Sequence, residues 1–208
     1  MVFVNFSGGL DSTYFLWKLL SSGDRALVHH CYYSSRREFE QRACDKILEE
    51  LKKMGLTNFV YERSELKFQG KPDRDVIVMA SVGAFAARKY NINKVVLCYS
   101  KEESPEMDRH LARGGKVSAF NPLHRYSIAN KVFQDIYRRK PLEFFFLGKK
   151  GLVSRRQMIR ELPDNLLQHI SFCRKPTEEK RYCGRCFACS RTLKYFKMEN
   201  KTWTQKFS

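Results

Sequence analysis

The sequence predicts an α/β fold, in which helices flank a parallel sheet, with a small metal-binding subdomain at the C-terminus. Short apolar segments alternate with helical segments, which predicts the sheet. Four cysteines close together near the C-terminus predict the subdomain. We expect residues 1–170 to form the α/β domain and residues 171–208 the subdomain. A chain of 208 residues with 43% apolar residues can form a hydrophobic core, which excludes a disordered protein.

The first half of the chain carries the clearest pattern of strands and helices. Apolar and β-branched runs predict strands at 2–6, 26–33, 58–62 and 94–100. Helices are predicted between them at 13–22, 37–55 and 74–90. Because each helix is long enough to cross over the sheet, successive strands are expected to be parallel.

The second half is less regular. Residues 101–121 contain Pro and Gly-Gly among polar residues and predict an irregular loop. A helix is predicted at 127–139, and another within 152–169 that is interrupted or ended near Pro163. Phe144, Phe145 and Phe146 fit a core strand, although beside lysines they also fit a nucleic-acid surface.

The net charge of +17 is concentrated near the C-terminus. Residues 1–137 carry only +5, whereas residues 138–160 and 174–208 carry +7 each. The excess fits either a solvated basic surface or a surface for phosphates or nucleic acid. No apolar run could cross a bilayer, and the N-terminus lacks a secretory signal. We therefore expect a cytoplasmic protein without a membrane partner.

The strongest local motif is the phosphate loop, which we define as Ser7-Gly8-Gly9-Leu10-Asp11-Ser12. It lies between a predicted strand and a predicted helix. The glycines let the backbone approach a ligand, and the helix N-terminus attracts an anion. Ser7 and Ser12 add hydroxyl groups, and Asp11 could bind a Mg²⁺ that bridges phosphates. The loop matches neither a Walker A motif nor a dinucleotide fingerprint. The alternative is a plain glycine-rich turn that caps a helix.

The phosphate loop resembles the pyrophosphate-binding loop of the PP-loop ATP pyrophosphatases. The resemblance implies that Ser7, Gly8, Gly9, Leu10, Asp11 and Ser12 bind ATP, with Asp11 and Ser12 acting in catalysis. It also places the end of the second strand, including His30, against the adenosine. Without the resemblance, His29 and His30 fit core or strand-end histidines better.

The cysteine cluster, Cys173, Cys183, Cys186 and Cys189, predicts one tetrahedral metal site. All-thiolate ligands favour Zn²⁺ or an iron–sulfur centre, and four ligands leave no open position for catalysis. We therefore expect a structural Zn²⁺. Disulfides are disfavoured in a protein without a secretory signal. Three cysteines remain, and for each of them core packing is a better interpretation than a catalytic thiol: Cys31, Cys44 and Cys98.

The phosphate loop together with the cysteine cluster resembles the 7-cyano-7-deazaguanine synthase branch of the PP-loop enzymes. That resemblance implies a Rossmann-like fold of the HUP (adenine nucleotide alpha hydrolase-like) type and a homodimer. Arg74 matches an arginine of the family and is implied in catalysis. In the segment that corresponds to the family's deazapurine loop, only Arg109 aligns easily. The residues implied in substrate binding are Lys101, Glu106, Asp108 and Arg109, although Glu106, Asp108 and Arg109 also fit a loop of solvated charges.

The family uses ATP, Mg²⁺ and ammonia to convert 7-carboxy-7-deazaguanine into the nitrile, releasing AMP and pyrophosphate. We expect the same chemistry on this or a related acid. One alternative is a PP-loop enzyme that modifies tRNA, DNA or a protein, which the basic last third favours. The other is a non-catalytic zinc-ribbon module that binds nucleic acid, which would have no need of a phosphate loop.

Overall fold

The predicted parallel sheet is present in the computed structural model. The structure describes residues 1–32, 37–66, 75–96, 98, 131–136, 143–145, 153–177 and 182–202. Within them the strands are β1 (Val2–Asn5), β2 (Ala26–Tyr32), β3 (Phe59–Glu65), β4 (Lys94–Val96) and β5 (Glu143–Phe145). They form one sheet in the order β3-β2-β1-β4-β5, and every pair is parallel. The α/β class is therefore confirmed.

The first strand, β1, lies at the centre of the sheet. Val2 is level with Ala26 of β2 on one side and with Lys94 of β4 on the other. The chain goes from β1 to β2 and β3 in one direction, and only later adds β4 and β5 in the other. The strand order therefore reverses between β1 and β4, and the carboxyl end of β1 lies at this point of reversal.

The helices cover both faces of the sheet. Their bounds are α1 (Leu10–Ser21), α2 (Arg37–Lys53), α3 (Asp75–Lys89), α4 (Arg155–Glu161), α5 (Asp164–Leu167) and α6 (Phe187–Met198), with a further helical segment at 131–136. The predicted break at Pro163 is confirmed, because it separates α4 from α5. The first helix begins three residues earlier than predicted, since Gly9 takes the extended backbone of an N-cap.

Two layers of apolar side chains pack against the sheet. On one face, Val4 and Val28 pack with residues of α1, α2 and α4. On the other face, Phe3 and Leu27 pack with alanines of α3 and with Phe133. Because neighbouring strand residues point to opposite faces, these apolar runs are buried on both sides of the sheet. This arrangement is typical of a parallel sheet with crossover helices.

The C-terminal part of the chain packs on the same core. Ile170 and Phe196 are both fully buried in the layer that contains Val4. The helix α6, which carries Phe196, was not predicted from the sequence, because the cysteines dominated the interpretation of that region. The predicted loop at 101–121 lies outside the described residues. Among the residues that the structure describes, no helix is long and apolar enough to cross a membrane.

Candidate functional site

The phosphate loop follows β1 at the carboxyl edge of the sheet. Gly8 has a φ of +64°, a conformation that residues with a side chain rarely adopt. A Cβ at this position would lie 3.0 Å from the Cβ of Ala43 and 3.1 Å from the backbone nitrogen of Cys44. Both atoms belong to α2, so the loop is pressed against that helix. Glycine is therefore required here by backbone conformation and by packing.

The two serines of the loop hold its ends together. The Ser7 backbone N–H donates to Ser12 Oγ at 3.3 Å, and the two hydroxyl oxygens are also 3.3 Å apart. Ser12 Oγ is 3.3 Å from the Gly9 carbonyl, to which it donates. The first turn of a helix leaves backbone N–H groups without partners inside the helix, and these groups attract an anion. The loop thus places two hydroxyls beside the N-terminus of α1.

Asp11 forms a buried ion pair that the sequence analysis did not predict. Arg155 Nη2 donates to Asp11 Oδ2 at 2.7 Å, and the two side chains are only 10% and 19% exposed. Arg155 is the first residue of α4, directly after Ser154, whose Oγ accepts from the Gln157 backbone N–H. A cation in the first turn of a helix is unfavourable for the helix dipole. The ion pair with Asp11 therefore explains why an arginine occupies this position, since an arginine here would not stabilise α4.

A second set of contacts fixes α4 against α1. The Tyr14 hydroxyl donates to Glu161 at 2.7 Å, and Lys18 Nζ lies 2.9 Å from the same carboxylate. Burial by itself would raise the pKa of Glu161, but these donors lower it to about 2, so the carboxylate stays ionised at neutral pH. The contacts hold α4 in the orientation that carries Arg155 to Asp11.

Ser171 joins the phosphate loop to the C-terminal part of the chain. Its backbone N–H donates to the Gly8 carbonyl at 2.7 Å. A Cβ on Gly9 would lie 3.4 Å from the Ser171 carbonyl oxygen and 3.2 Å from Ser7 Oγ. Two residues further along the chain is Cys173, the first cysteine of the cluster. The loop and the cluster are therefore connected through a short, ordered segment.

The histidines at the end of β2 are buried. His30 Nδ1 donates to the Phe6 carbonyl at 2.7 Å, and His29 Nε2 lies 3.0 Å from Ser64 Oγ. Burial disfavours the charged imidazole, so the pKa of His29 falls to about 4 and that of His30 is also lowered. Nδ1–H of His30 braces β2 against the loop, as a core histidine would. Its predicted contact with adenosine stays a prediction.

Several buried polar atoms near this edge have no hydrogen-bond partner within the described ranges, among them Asn5 Oδ1, His29 Nδ1 and His30 Nε2. Asn5 ends β1, and the neutral His30 ring leaves Nε2 as an acceptor. Because buried polar atoms are costly when unsatisfied, such atoms commonly mark a place for a ligand or water. The sequence analysis did not identify Asn5 as a site residue. Its place at the end of a buried strand was the only sequence feature that could have indicated this.

The cysteines outside the cluster behave as core residues. Cys31 and Cys44 are buried, and Cys98 packs at the edge of the core. Burial raises the pKa of Cys31 to about 11 and that of Cys44 well above its usual value. The pKa of Cys98 is raised by burial and then by the nearby Asp11 carboxylate. Thiols with a raised pKa are poor nucleophiles, which favours core packing for all three.

The cysteine cluster is assembled as predicted. The sulfur atoms of Cys173, Cys183, Cys186 and Cys189 all lie within 4.8 Å of one another, so the group could hold a metal ion such as Zn²⁺. Gly184 has a φ of +73° between the second and third ligands, which lets the chain turn tightly. Cys186 is the N-cap of α6, and its Sγ accepts from the Cys189 N–H.

Backbone N–H groups point at the sulfur atoms. Cys173 Sγ accepts from Lys175 and Cys183, and Cys183 Sγ accepts from Cys186, each at 3.3 Å. Backbone N–H groups that donate to its sulfur lower the pKa of Cys183. Burial by itself would raise the pKa of Cys186, but backbone N–H donors lower it to about 6. Burial raises the pKa of Cys173 and Cys189. The low pKa of Cys186 favours its thiolate, and a bound cation would favour deprotonation of the other cysteines.

An aromatic pair fixes the cluster to the core. The rings of Phe172 and Tyr182 are stacked with centroids 4.2 Å apart, and the Tyr182 hydroxyl donates to the Ile170 carbonyl at 2.8 Å. Ile170 and Phe172 thus both contact Tyr182 of the cluster. Ser171, which lies between them, contacts the phosphate loop. This short segment is the physical connection between the two predicted sites.

Part of the predicted site lies outside the described residues, namely Arg74, Lys101, Glu106, Asp108 and Arg109. Their roles stay predictions. Of the residues that the structure brings to the phosphate loop, Arg155 and Ser171 were not predicted. No local pattern could have found them, since Arg155 is 144 residues from Asp11 in the chain.

No protein-family model matches the sequence, and no curated protein matches it significantly.

Proposed function

We propose that this protein is an ATP-dependent, AMP-forming ligase of the PP-loop type. The position of the phosphate loop carries the proposal. The loop follows the central strand where the strand order reverses, and open parallel sheets bind ligands at this place. The proposal includes the finer fold assignment, a Rossmann-like domain of the HUP type.

The residues of the loop have the chemistry for a triphosphate. Ser7 and Ser12 offer hydroxyl groups, and the backbone at Gly8 and Gly9 allows close approach. Mg²⁺ would neutralise charge on the phosphates. Asp11 fits it as a ligand, because a carboxylate has two oxygens and can bind a cation while it accepts from Arg155. Arg155 adds a fixed positive charge beside the loop, where charge develops on the leaving pyrophosphate.

The proposed reaction begins with attack by a substrate carboxylate oxygen on the α-phosphorus of ATP. The bond from that phosphorus to the bridging oxygen breaks, and pyrophosphate leaves. Ammonia then attacks the acyl-adenylate carbon, loses a proton, and displaces AMP to give the amide. The amide oxygen then attacks the α-phosphorus of a second ATP, and a second pyrophosphate leaves. Loss of AMP from the carbon, together with the two N–H protons, gives the nitrile. The protein's part is to orient these groups and stabilise the pyrophosphate.

The substrate class rests on the resemblance to 7-cyano-7-deazaguanine synthases. It is 7-carboxy-7-deazaguanine or a related acid, with ammonia as the second substrate and a homodimer as the working form. Arg74, Lys101, Glu106, Asp108 and Arg109 are the residues proposed to contribute to this site. Glu106 or Asp108 would accept from the N–H groups of the guanine-like base.

The test is to incubate the protein with ATP, Mg²⁺, ammonia and 7-carboxy-7-deazaguanine, and to measure AMP and the nitrile. We expect both products. If AMP forms with another acid but not with this one, the substrate class is wrong and the ATP chemistry stands. If no acid supports AMP formation by a protein that binds ATP, the ligase activity is wrong.

Matched variants test the loop itself. Ser12→Ala and Asp11→Asn should reduce AMP formation by at least about tenfold, the usual effect of losing one transition-state contact. Ser22→Ala and Asp24→Asn change the same residue types at the far end of α1, where Ser22 Oγ donates to Asp24. These controls should keep the wild-type rate. Equal rates in all four variants would contradict the assignment of the loop.

A second candidate is a PP-loop enzyme whose substrate is a macromolecule such as tRNA, DNA or a protein. The charge favours it, because residues 138–160 and 174–208 carry +14 between them, more than a small substrate requires. A gel-shift with tRNA and duplex DNA at low and raised salt distinguishes the candidates, since binding to phosphates weakens with salt. A non-catalytic nucleic-acid-binding module would bind without releasing AMP from ATP.

A further inference from the structure

The outer face of α6, which we define by Phe187, Arg191, Lys194 and Met198, combines apolar and basic side chains, all of them exposed except Arg191, which is half-buried. These residues follow one another at helical spacings of four, three and four, so they lie on one side of the helix. The opposite side carries the buried residues Cys189, Thr192 and Phe196. The ring of Phe187 is 56% exposed and Met198 is 46% exposed. The outer face is therefore a surface and not a part of the core.

A cation lies against the exposed ring. The guanidinium carbon of Arg191 is 4.9 Å from the centroid of the Phe187 ring, a cation–π distance. The contact orders a large apolar ring in solvent, at the start of a helix that the cysteine cluster caps. Isolated exposed apolar residues are common on proteins. An exposed ring that contacts a cation, on a helix that carries further cations, is more typical of a binding surface.

Outside the cysteine cluster, whose thiolates are negative, the charged side chains of this segment are all basic. Residues 182–198 contain four basic residues and no acidic one: Arg185, Arg191, Lys194 and Lys197. Lys194 and Lys197 are exposed on α6, about two turns or more beyond Phe187 and about one turn from each other. A partner that complements the segment must therefore be an anion with flat apolar groups.

A single-stranded nucleic acid has both properties. Its bases are open to stacking on aromatic rings, and its phosphates repeat along the strand. Duplexes hide the base faces, so they would use the cations alone. An acidic peptide would also use the cations and leave the ring without a partner.

We propose that the outer face of α6 binds single-stranded nucleic acid, with a base stacked on Phe187 and phosphates bound by Arg191 and Lys194. None of these residues belongs to the phosphate loop, so the proposal does not depend on the proposed ligase activity. It assigns a role in phosphate binding to part of the positive charge in the last third of the chain.

The test is fluorescence anisotropy with the full chain and a labelled oligothymidylate or oligouridylate. F187A should weaken binding about tenfold, as expected for the loss of one stacked base. F187Y, which keeps an aromatic ring, should bind within about twofold of the wild type. F85A is the control, since Phe85 on α3 is similarly exposed, and it should bind like the wild type. K194E should lower the salt dependence of binding, whereas K46E, an equal charge change on α2, should alter it less.

Three results would overturn the proposal. The first is equal affinity for F187A and F85A, which would mean that no base stacks on Phe187. The second is a duplex that binds as tightly as the single strand, with no effect of F187A. The third is polyglutamate that competes as well as oligothymidylate at equal charge, which would make the surface a general site for acidic polymers.

Discussion

The phosphate loop and the cysteine cluster satisfy their charges in opposite ways. In the loop, the carboxylate of Asp11 is already paired with Arg155, and the backbone is fixed by Ser12, Ser171 and the packing of Gly8 on α2. In the cluster, four sulfur atoms meet with backbone N–H groups as their donors. The loop is therefore shaped by the folded chain, whereas the cluster is a set of four sulfur ligands that could be completed by a metal cation.

The two regions also differ in the packing beneath them. The loop lies at the edge of the main core, next to β1 and α1. Within the part of the chain that the structure describes, the buried apolar cluster around the cysteines comprises Cys173, Tyr182 and Cys189, against which Phe172 and Leu193 are partly buried. Such a small core cannot by itself offset the conformational entropy of the segment. A structural metal is the usual means by which so small a unit becomes stable.

Removal of the metal should have the largest effect. If a Zn²⁺ bound to the four cysteines stabilises the cluster, a strong chelator or Cys189→Ser should abolish amide protection in residues 182–198 and lower the melting temperature of the whole chain. Structural zinc commonly contributes on the order of 10 kcal/mol to folding of small domains. Hydrogen exchange and calorimetry measure this, alongside metal analysis.

The control for metal removal is Cys31→Ala, which alters a buried thiol outside the cluster. It should leave the metal content at one ion per chain. Iron in place of zinc, or no bound metal, would contradict the assignment. Unchanged protection after chelation would show that the cluster folds without a cation.

Breaking the ion pair in the loop should have the next largest effect. Arg155→Met leaves the Asp11 carboxylate buried without its cation, which should cost about 3 kcal/mol in the free energy of unfolding. Arg155→Met combined with Asp11→Asn should cost less than the sum of the two single changes. Urea unfolding measures these values.

Lys201→Met offers a matched control for that ion pair. Lys201 pairs with Asp164, whose side chain is 78% exposed, so its loss should cost less than about 1 kcal/mol. Similar costs for Arg155→Met and Lys201→Met would mean that Arg155 does not stabilise the loop.

One glycine from each region gives a more direct comparison. Gly8→Ala should cost about 3 kcal/mol, because it adds a backbone strain of about 1 kcal/mol and a clash with α2. Gly184→Ala has the backbone strain alone, about 1 kcal/mol, since no atom lies within 4 Å of its added Cβ. Chemical unfolding of both variants, saturated with metal, measures the difference. Equal costs would contradict the packing of Gly8 against α2.

The smallest effect is expected for the link between the regions. Tyr182→Phe removes the hydrogen bond to the Ile170 carbonyl and should cost about 1 kcal/mol. The stacking on Phe172 is kept. Because Ser171 follows Ile170, its amide should exchange faster in the variant, which hydrogen exchange can measure. An unchanged exchange rate of the Ser171 amide would show that the Tyr182 hydrogen bond does not stabilise the contact between Ser171 and the loop.

The sequence predicted the fold class well, because the relevant signals are local. The run of apolar residues in β1, the helical spacing in α2 and the break at Pro163 each arise from neighbouring residues. The lengths of β3 and β4 were less accurate. Strand ends depend on pairing partners, and β3 continues to Glu65 because it pairs with β2 as far as Tyr32.

The candidate site could be predicted only as far as its local motifs extend. The phosphate loop and the cysteine cluster are short patterns. The loop lies between β1 and α1, and the four sulfur atoms of the cluster meet. Arg155 and Ser171 reach the loop through tertiary packing, which a local pattern cannot encode. The exposed position of Phe187 was also hidden, since an aromatic residue next to a cysteine motif fits a core equally well.

The hydrogen bond from Ser171 to Gly8 has a consequence for the order of biosynthesis. The phosphate loop precedes its tertiary partners by a long stretch of chain, since 144 residues separate Asp11 from Arg155. A nascent chain that contains β1 through β4 would therefore have the loop motif without Arg155 or Ser171 to complete its contacts. A fragment that ends before Arg155 should lack the ion pair to Asp11 and the loop geometry that depends on it.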